Sequence, residues 1–419
     1  MRHLLNKEEA GALLVAAAED WPLLTHILEC PECQDLTLAE MNGVEDKGEP
    51  PSGQRQARQS RGEAGKLLRE LIRLPQSALA EAMRDPRFHR ADLVDLLLSC
   101  GETALNRDPG RAVELARLAQ RVASAAEPGE AGSRARLVRG YCLEANGRRL
   151  TGVFDSAERA LDDATLFLPG GSPERGPYCL ALGLLRWEQG KTDEAAALLR
   201  HAARAFGDDG RRTEEGKALA QLGFLYMELG ELEKAPGPLV RGMLCAGEAA
   251  SAALRVKGGL SFALCLAALG KPEPARHFLE QAWLQYPYLH PADKVDAEWL
   301  EGRVAARMDA FAEAERLLGS ARRTLLSGHR PAEAALATLD LGVVYLELER
   351  AAEVDFLAKE FEVTTAGQAG ADLAATALRD FAGGGLTRET AREGAAILAA
   401  WLRQTLRVRR LGPPPLPRF

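Results

Sequence analysis

The sequence predicts an all-α protein assembled from repeated helical hairpins, and its composition and internal repeats both support this fold class. Of the 419 residues, 46% are hydrophobic and only 5% are aromatic. Alanine, leucine, arginine and glutamate dominate, and these side chains lose little conformational freedom in a helix. Valine and isoleucine are sparse, and the alternating apolar and polar runs that predict strands are hard to find. In addition, a similar segment recurs about every 40 residues.

The repeat is clearest in three segments, which begin at Leu182, Leu222 and Leu341. Each segment starts with Leu-Gly, reaches a small or polar turn, and places a small residue five positions after that turn. This last position is occupied, in chain order, by Ala157, Ala195, Ala235, Ala275, Ala314 and Val354, with Ala112 in a weaker copy. The six clear positions are 38 to 40 residues apart, which indicates one structural unit per interval.

These segments resemble the tetratricopeptide repeat, in which a first helix carrying Leu-Gly-x-x-Tyr pairs with a second helix that has regularly spaced alanine. The resemblance covers roughly residues 90–362. It implies a right-handed α-solenoid of about seven repeats of about 40 residues, with helices about a turn longer than in the usual repeat of about 34 residues. Because a single hairpin cannot bury its own apolar face, the repeats are expected to stack.

Two sets of glycines fit this hairpin. The first set is expected where the two helices approach closely, and it comprises Gly183, Gly223, Gly302 and Gly342. The second set is expected after the first helix, where a left-handed backbone favours glycine, and it comprises Gly152, Gly190, Gly230 and Gly270. Pro236 and Pro238 fall just inside a second helix, so this helix either starts late, at about Pro238, or is kinked.

Composition and pattern divide the chain into six predicted parts. These are a small zinc-binding helical module (1–42), a linker (43–60), connecting helices (61–89), the repeats (90–362), C-terminal capping helices (363–410) and a Pro-rich tail (411–419). Thr390 and Glu393 have capping-box spacing at the start of the last predicted helix. The tail contains Pro414-Pro415-Leu416-Pro417-Arg418, which is similar to ligands of aromatic-lined grooves but also fits a plain frayed terminus.

The N-terminal module contains the pattern H-x3-C-x2-C, formed by His26, Cys30 and Cys33. On a helix His26 and Cys30 share a face, and the following CPEC turn brings Cys33 back toward them. Imidazole and thiolate are ligands of tetrahedral Zn²⁺, so the pattern predicts one zinc ion. Two other interpretations stay open: Cys30 could belong to an apolar stripe with Leu23 and Ile27, or the cysteines could form a redox pair.

This motif resembles that of the zinc-containing anti-sigma factors of bacteria, and the resemblance covers residues 1 to about 84. It implies a structural zinc, a fourth ligand upstream of the motif, and a sigma factor as partner. His3 is the only upstream His or Cys and is therefore the candidate fourth ligand. Water or a nearby carboxylate, from Glu29, Glu32 or Asp35, could take its place.

Several functional classes are disfavoured by the sequence. The Walker loop, G-x-S-x-G, H-E-x-x-H and dinucleotide fingerprints are absent, so we expect no enzymatic activity. A net charge of -7 argues against direct binding of nucleic acid. The apolar runs are too short to span a bilayer, the N-terminus lacks the pattern of a secretory signal, and most cysteines lie singly within helical patterns, which together predict a cytoplasmic protein.

Protein binding is the remaining function, and the first helix of each hairpin is expected to line a concave surface. The predicted contact residues are Trp187, Phe224, Met227, Trp299, Arg303, Val343 and Leu346. This largely apolar set predicts a scaffold or regulator that binds a helical or apolar segment of a partner protein. The same residues could instead fill the interior of a tightly wound array. Two alternative functions stay open: an anti-sigma-like regulator and an accessory subunit of an enzyme complex.

Overall fold

The computed structural model describes residues 54–105, 108–126, 131–246, 252–289, 291–328 and 331–364. Within these ranges every regular element is a helix, so the predicted all-α class is confirmed. The predicted zinc-binding module, the tail, and all but the first two residues of the C-terminal cap lie outside the described residues.

The described residues form two compact units, 54–211 and 212–364, which we call the first and the second unit. The helices of the first unit are α1 (Gln54–Arg73), α2 (Gln76–Ala82), α3 (Ala91–Ala104), α4 (Pro109–Ala125), α5 (Ala131–Leu150), α6 (Phe154–Thr165), α7 (Arg175–Glu188) and α8 (Thr192–Asp208). A short 3-10 helix, Pro86–Phe88, precedes α3 and places the ring of Phe88 in the core.

The second unit has the same kind of helices. They are α9 (Arg212–Glu228), α10 (Pro236–Ala246), α11 (Ala252–Ala268), α12 (Pro272–Trp283), α13 (Pro291–Arg307), α14 (Phe311–Ser327), α15 (Pro331–Glu347) and α16 (Ala351–Thr364). A 3-10 helix, Tyr286–Tyr288, connects α12 to α13. No helix of the described ranges has the length and apolar content needed to cross a bilayer.

Helices that follow each other in the chain pack in pairs, and these pairs are the predicted hairpins. They are α3–α4, α5–α6 and α7–α8 in the first unit, and α9–α10, α11–α12, α13–α14 and α15–α16 in the second. The seven described hairpins agree with the number expected from the repeat.

The small residue five positions after each turn is fully buried. Its exposed fraction is 0% in all seven hairpins, at Ala112, Ala157, Ala195, Ala235, Ala275, Ala314 and Val354. A larger side chain at this position would separate the two helices of the hairpin, because protein interiors are close-packed. The small residues that recur in the sequence therefore mark the place where the two helices of each hairpin pack together.

The glycine of the Leu-Gly pair allows the close approach that the sequence predicts. A Cβ atom placed on Gly223 would lie 2.5 Å from Cγ of Leu239 on the paired helix. At Gly302 the corresponding distance to Cγ of Leu318 is 2.8 Å. Neither distance is compatible with normal van der Waals contact, so these hairpins require glycine.

The turn between the helices has a left-handed residue in six successive repeats. Four repeats have glycine there, with φ of 73° to 75°, at Gly152, Gly190, Gly230 and Gly270. In the last two repeats Asp309 (φ 58°) and Glu349 (φ 57°) adopt the same conformation. The Glu349 N–H donates to the carbonyl of Leu346 (3.0 Å) and the Arg350 N–H donates to that of Tyr345 (2.9 Å), which is the Schellman pattern.

Two boundaries refine the sequence predictions. Helix α1 begins at Gln54, so the last seven residues of the predicted linker 43–60 are helical. Glutamine, arginine and alanine favour helix there although apolar periodicity is missing. Helix α10 begins at Pro236, which favours the late start over the kink, because proline is tolerated in the first turn.

Candidate protein-interaction site

The first helices of the second unit are connected by side-chain contacts. Nζ of Lys257 on α11 lies 4.7 Å from the ring centroid of Phe224 on α9, a cation–π contact. Nε1 of Trp299 on α13 donates a hydrogen bond to Oδ2 of Asp340 on α15 (2.8 Å). Nε of Arg303 lies 3.6 Å from the same oxygen. The predicted residues Trp299 and Arg303 are thus brought together on one carboxylate.

The predicted contact residues differ in accessibility. Trp187 of the first unit is 7% exposed, and Phe224 and Met227 of the second unit are 8% and 9% exposed. These three side chains offer little area to a partner in this conformation. The other four, Trp299, Arg303, Val343 and Leu346, are half-buried and retain accessible surface. We call these four residues together with Asp340 the first-helix face, and its role in binding stays a prediction.

Asp340 was not identified from the sequence, although one signal was present. It directly precedes the Leu-Gly pair of its repeat and is the only charged residue in the run "LATLDLGVV". A carboxylate in such an apolar segment usually has hydrogen-bonding partners in the fold, since an unpaired buried charge is costly. Here those partners include two residues of the neighbouring first helix.

Another buried carboxylate, that of Glu144 on α5, connects two neighbouring hairpins, because its partners Gln120 and Arg117 lie on α4. Burial alone would raise the pKa of Glu144, but hydrogen bonds from Gln120, Arg148 and Arg117 more than offset this effect and hold the pKa below its usual value. Each of the three donor–acceptor distances is 2.9 Å. Because the Glu144 carboxylate is fully engaged with these donors, its arrangement fits a structural role.

Four hairpins that follow one another in the chain each have one buried thiol, at Cys142, Cys179, Cys245 and Cys265. Burial raises the pKa of Cys245 to about 11 and that of Cys265 to about 12. It also raises the pKa of Cys142 and of Cys179. These thiols are protonated at neutral pH, so they do not fit the role of nucleophile or redox centre.

Metal binding is predicted only for residues that lie outside the described ranges, namely His3, His26, Cys30 and Cys33. Among the described residues, no three or more His, Cys, Asp and Glu side chains are grouped so that they could hold a metal ion. The zinc prediction therefore depends on the donor chemistry of the motif.

Comparison with solved structures relates this arrangement of helices to a known protein. The crystal structure of a Rap protein complexed with competence and sporulation factor superposes with a TM-score of 0.59 and 13% sequence identity. The match covers 74% of this chain and 89% of that chain. The chain has a tetratricopeptide-like helical-repeat fold. This confirms the predicted array of helical hairpins.

The sequence itself matches no protein-family model and no curated protein. At 13% identity the structural similarity concerns the fold alone. The binding partner must therefore be argued from the residues of this chain.

Proposed function

We propose that this chain is a non-enzymatic scaffold that binds a helical or apolar segment of a partner protein on its first-helix face. The main support is the combination on α13 and α15 of half-buried apolar side chains with one charged cluster. An amphipathic helix could place its apolar row against Val343 and Leu346, and a polar group beside Asp340. The similar Rap protein was solved with a bound factor, which agrees with a binding role.

The proposal is tested by chemical cross-linking of the full chain to its partners in cells, followed by quantitative mass spectrometry. We expect the double variant Val343→Glu with Leu346→Glu to recover the cross-linked partner at least about tenfold less, because two carboxylates would be desolvated on binding. Phe356→Glu is the matched control, since Phe356 is 65% exposed on α16 and lies outside the first-helix face. Equal recovery by the double variant and the control would contradict the proposal.

The H-x3-C-x2-C motif supports a second proposal, that His26, Cys30 and Cys33 hold one structural Zn²⁺ with His3 as the fourth ligand. Two thiolates and two imidazoles complete a tetrahedral site, which would leave no open position for catalysis. A unit of about 40 residues also needs a stabilising metal ion or a similar cross-link, because it cannot bury enough apolar surface by itself.

Metal analysis of protein purified without chelator tests this site. We expect one zinc per chain, lost in Cys30→Ser and in Cys33→Ser and retained in Cys100→Ser, which removes a cysteine of α3 outside the motif. The variant His3→Ala should bind zinc more weakly. If this variant keeps full affinity, a carboxylate or water is the fourth ligand. Protein without zinc would contradict the proposal as a whole.

The anti-sigma-like function and the accessory-subunit function make different predictions about the partner. If residues 1 to about 84 bind a sigma factor, affinity capture recovers that factor with the full chain and loses it with a chain starting at residue 85. An accessory subunit of an enzyme complex instead recovers an enzyme with both chains. Recovery of neither class of protein would leave the first-helix scaffold as the better description.

A further inference from the structure

The second unit contains a cleft that the predicted contact residues do not include. It has a volume of about 660 Å³ and lies between the end of α12, the 3-10 helix Tyr286–Tyr288, α13 and α14. Its lining comprises Trp283, Tyr286, Pro287, Lys294, Glu298, Glu301, Arg316 and Leu317. The three residues of α13 in this lining have i, i+4 and i+7 spacing and share one side of the helix, whereas Trp299 and Arg303 project from another side.

The cleft contains a carboxylate where the repeat normally has leucine. Glu301 precedes Gly302 and so occupies the position of Leu182, Leu222 and Leu341 in the Leu-Gly pair. Its carboxylate accepts hydrogen bonds from Nε1 of Trp283 (3.0 Å) and from the hydroxyl of Tyr286 (2.8 Å). Both donors are neutral. The substitution of Leu by Glu therefore places a negative charge between two aromatic rings.

Lys294 and Arg316 also line the cleft, but neither forms an ion pair with this carboxylate. No other lysine or arginine in the described part of the chain forms an ion pair with Glu301, and the nearby Arg316 is held by Glu313 (Nε to Oε2, 2.9 Å). Burial raises the pKa of Glu301 despite the two hydrogen bonds. By contrast, the buried Glu144 has two arginines as partners. A partly buried carboxylate that lacks a cation is a favourable place for an incoming guanidinium.

One aromatic side chain that lines the cleft, Trp283, is 45% exposed. Leu284 and Tyr288, which follow lining residues in the chain, are 64% and 76% exposed. Accessible Trp and Tyr rings beside Pro287 form the type of surface on which extended proline-rich segments pack. The same rings can also accept a cation–π contact from arginine. The cleft thus combines the features that recognise proline and arginine.

We propose that this cleft binds the Pro-rich tail of the chain, residues 411–419, with Arg418 paired to Glu301 and the prolines packed on Trp283 and Tyr286. The tail reads LGPPPLPRF, so its one charged side chain, Arg418, can supply the ion pair that Glu301 does not form within the cleft. A polyproline segment loses little conformational entropy on binding because it is already extended. The 46 residues between Thr364 and the tail span up to about 150 Å when extended, so reach does not limit the contact.

The test uses a fluorescent peptide with the sequence of residues 411–419 and measures its anisotropy with the full chain. A tail variant that carries Pro414→Ala, Pro417→Ala and Arg418→Glu keeps the chain length and should leave the cleft free. We expect this variant to bind the peptide at least about tenfold more tightly than the unmodified chain, whose own tail competes at high effective concentration.

Further substitutions on the tail variant locate the contact. Glu301→Gln and Trp283→Ala should each weaken peptide binding about tenfold or more. Glu280→Gln is the matched control, because Glu280 is exposed on α12 and does not line the cleft. A peptide with Arg418→Glu should bind about tenfold more weakly to the tail variant, which tests the charge pair even if a substitution in the cleft impairs folding.

Three outcomes of the peptide-binding experiments would overturn the proposal. These are the absence of saturable binding to the tail variant, equal affinity for Glu301→Gln and the control, and equal affinity for the Arg418→Glu peptide. Sedimentation velocity decides which copy supplies the tail. A monomer at all concentrations supports binding within one chain, whereas a dimer that disappears in the tail variant contradicts it.

Discussion

At Glu349 the backbone turns through a left-handed conformation with a glutamate side chain attached. Four earlier repeats have glycine at the equivalent turn. For a residue with a Cβ atom this conformation costs about 1–2 kcal/mol of steric strain relative to glycine. Glycine loses more backbone entropy on folding, and this difference offsets only part of the strain. The Schellman hydrogen bonds are the same in both cases, so they do not favour either residue.

We expect Glu349→Gly to stabilise the chain by about 0.5–1 kcal/mol, since it removes the steric strain and keeps the turn. The reverse change, Gly230→Ala, introduces the same strain and should destabilise by about 1 kcal/mol. Urea denaturation followed by circular dichroism measures both. If Glu349→Gly lowers the midpoint, contacts of the glutamate side chain outweigh the strain.

Glu144 should make stability depend on pH. Its pKa is lower in the folded chain than the ordinary value of about 4.5, so its stabilising contribution is complete above that pH. The contribution decreases as the pH falls below about 4.5, where the unfolded chain binds the proton first, and it is lost as the pH passes through the lower pKa of the folded chain. We expect Glu144→Gln to cost about 1–3 kcal/mol at pH 7 and clearly less at pH 3, measured by urea denaturation at both values. A cost independent of pH would show that the charge is not what stabilises this contact between hairpins.

At the scale of the element, the hairpin depends on the close approach of its two helices. Ala at position 223 would force α10 away from α9, because its Cβ would also lie 3.3 Å from the backbone N of Leu239. We expect Gly223→Ala to destabilise by about 1–3 kcal/mol, as overpacking does in other cores. Gly237→Ala on α10 is the control, since its Cβ would meet no atom within 4 Å. Thermal unfolding should change little for this control, and equal losses for both variants would exclude the packing explanation.

The hairpins could be predicted from the sequence because the close packing of their two helices requires particular residue types at single positions. Each repeat needs a small side chain at the helix contact, as at Ala195 and Ala275, and both residues are fully buried. The start of α1 at Gln54 could not be predicted, because its first residues lack the apolar periodicity that reveals a helix. Local propensity alone is a weak signal.

The binding surface was less predictable than the fold. Repeat register places Phe224 and Val343 at equivalent positions, yet Phe224 is buried and Val343 is half-buried. Accessibility depends on the neighbouring side chains, such as Lys257 over the Phe224 ring, and register contains no information about them. Glu301 was visible in principle, because it replaces leucine in the Leu-Gly pair.

At the scale of the whole molecule, the hairpins contact mainly their neighbours in the chain, so stability should be local. We expect Gly223→Ala to accelerate amide hydrogen exchange in α9, α10 and α11 while leaving α3 and α4 unchanged. Exchange measured by mass spectrometry on proteolytic fragments resolves these helices. A uniform increase across all helices would indicate one cooperative unfolding unit instead.

The buried cysteines of four successive hairpins allow that local stability to be measured without introducing any new cysteine. A thiol at Cys142, Cys179, Cys245 or Cys265 can be alkylated only when its own hairpin opens, since the closed state both hides the sulfur and disfavours the thiolate. A brief exposure to an alkylating reagent, followed by peptide mapping, would therefore give one opening equilibrium for each of these four hairpins. The four alkylation rates would show whether a bound partner reduces the opening of one hairpin or of several.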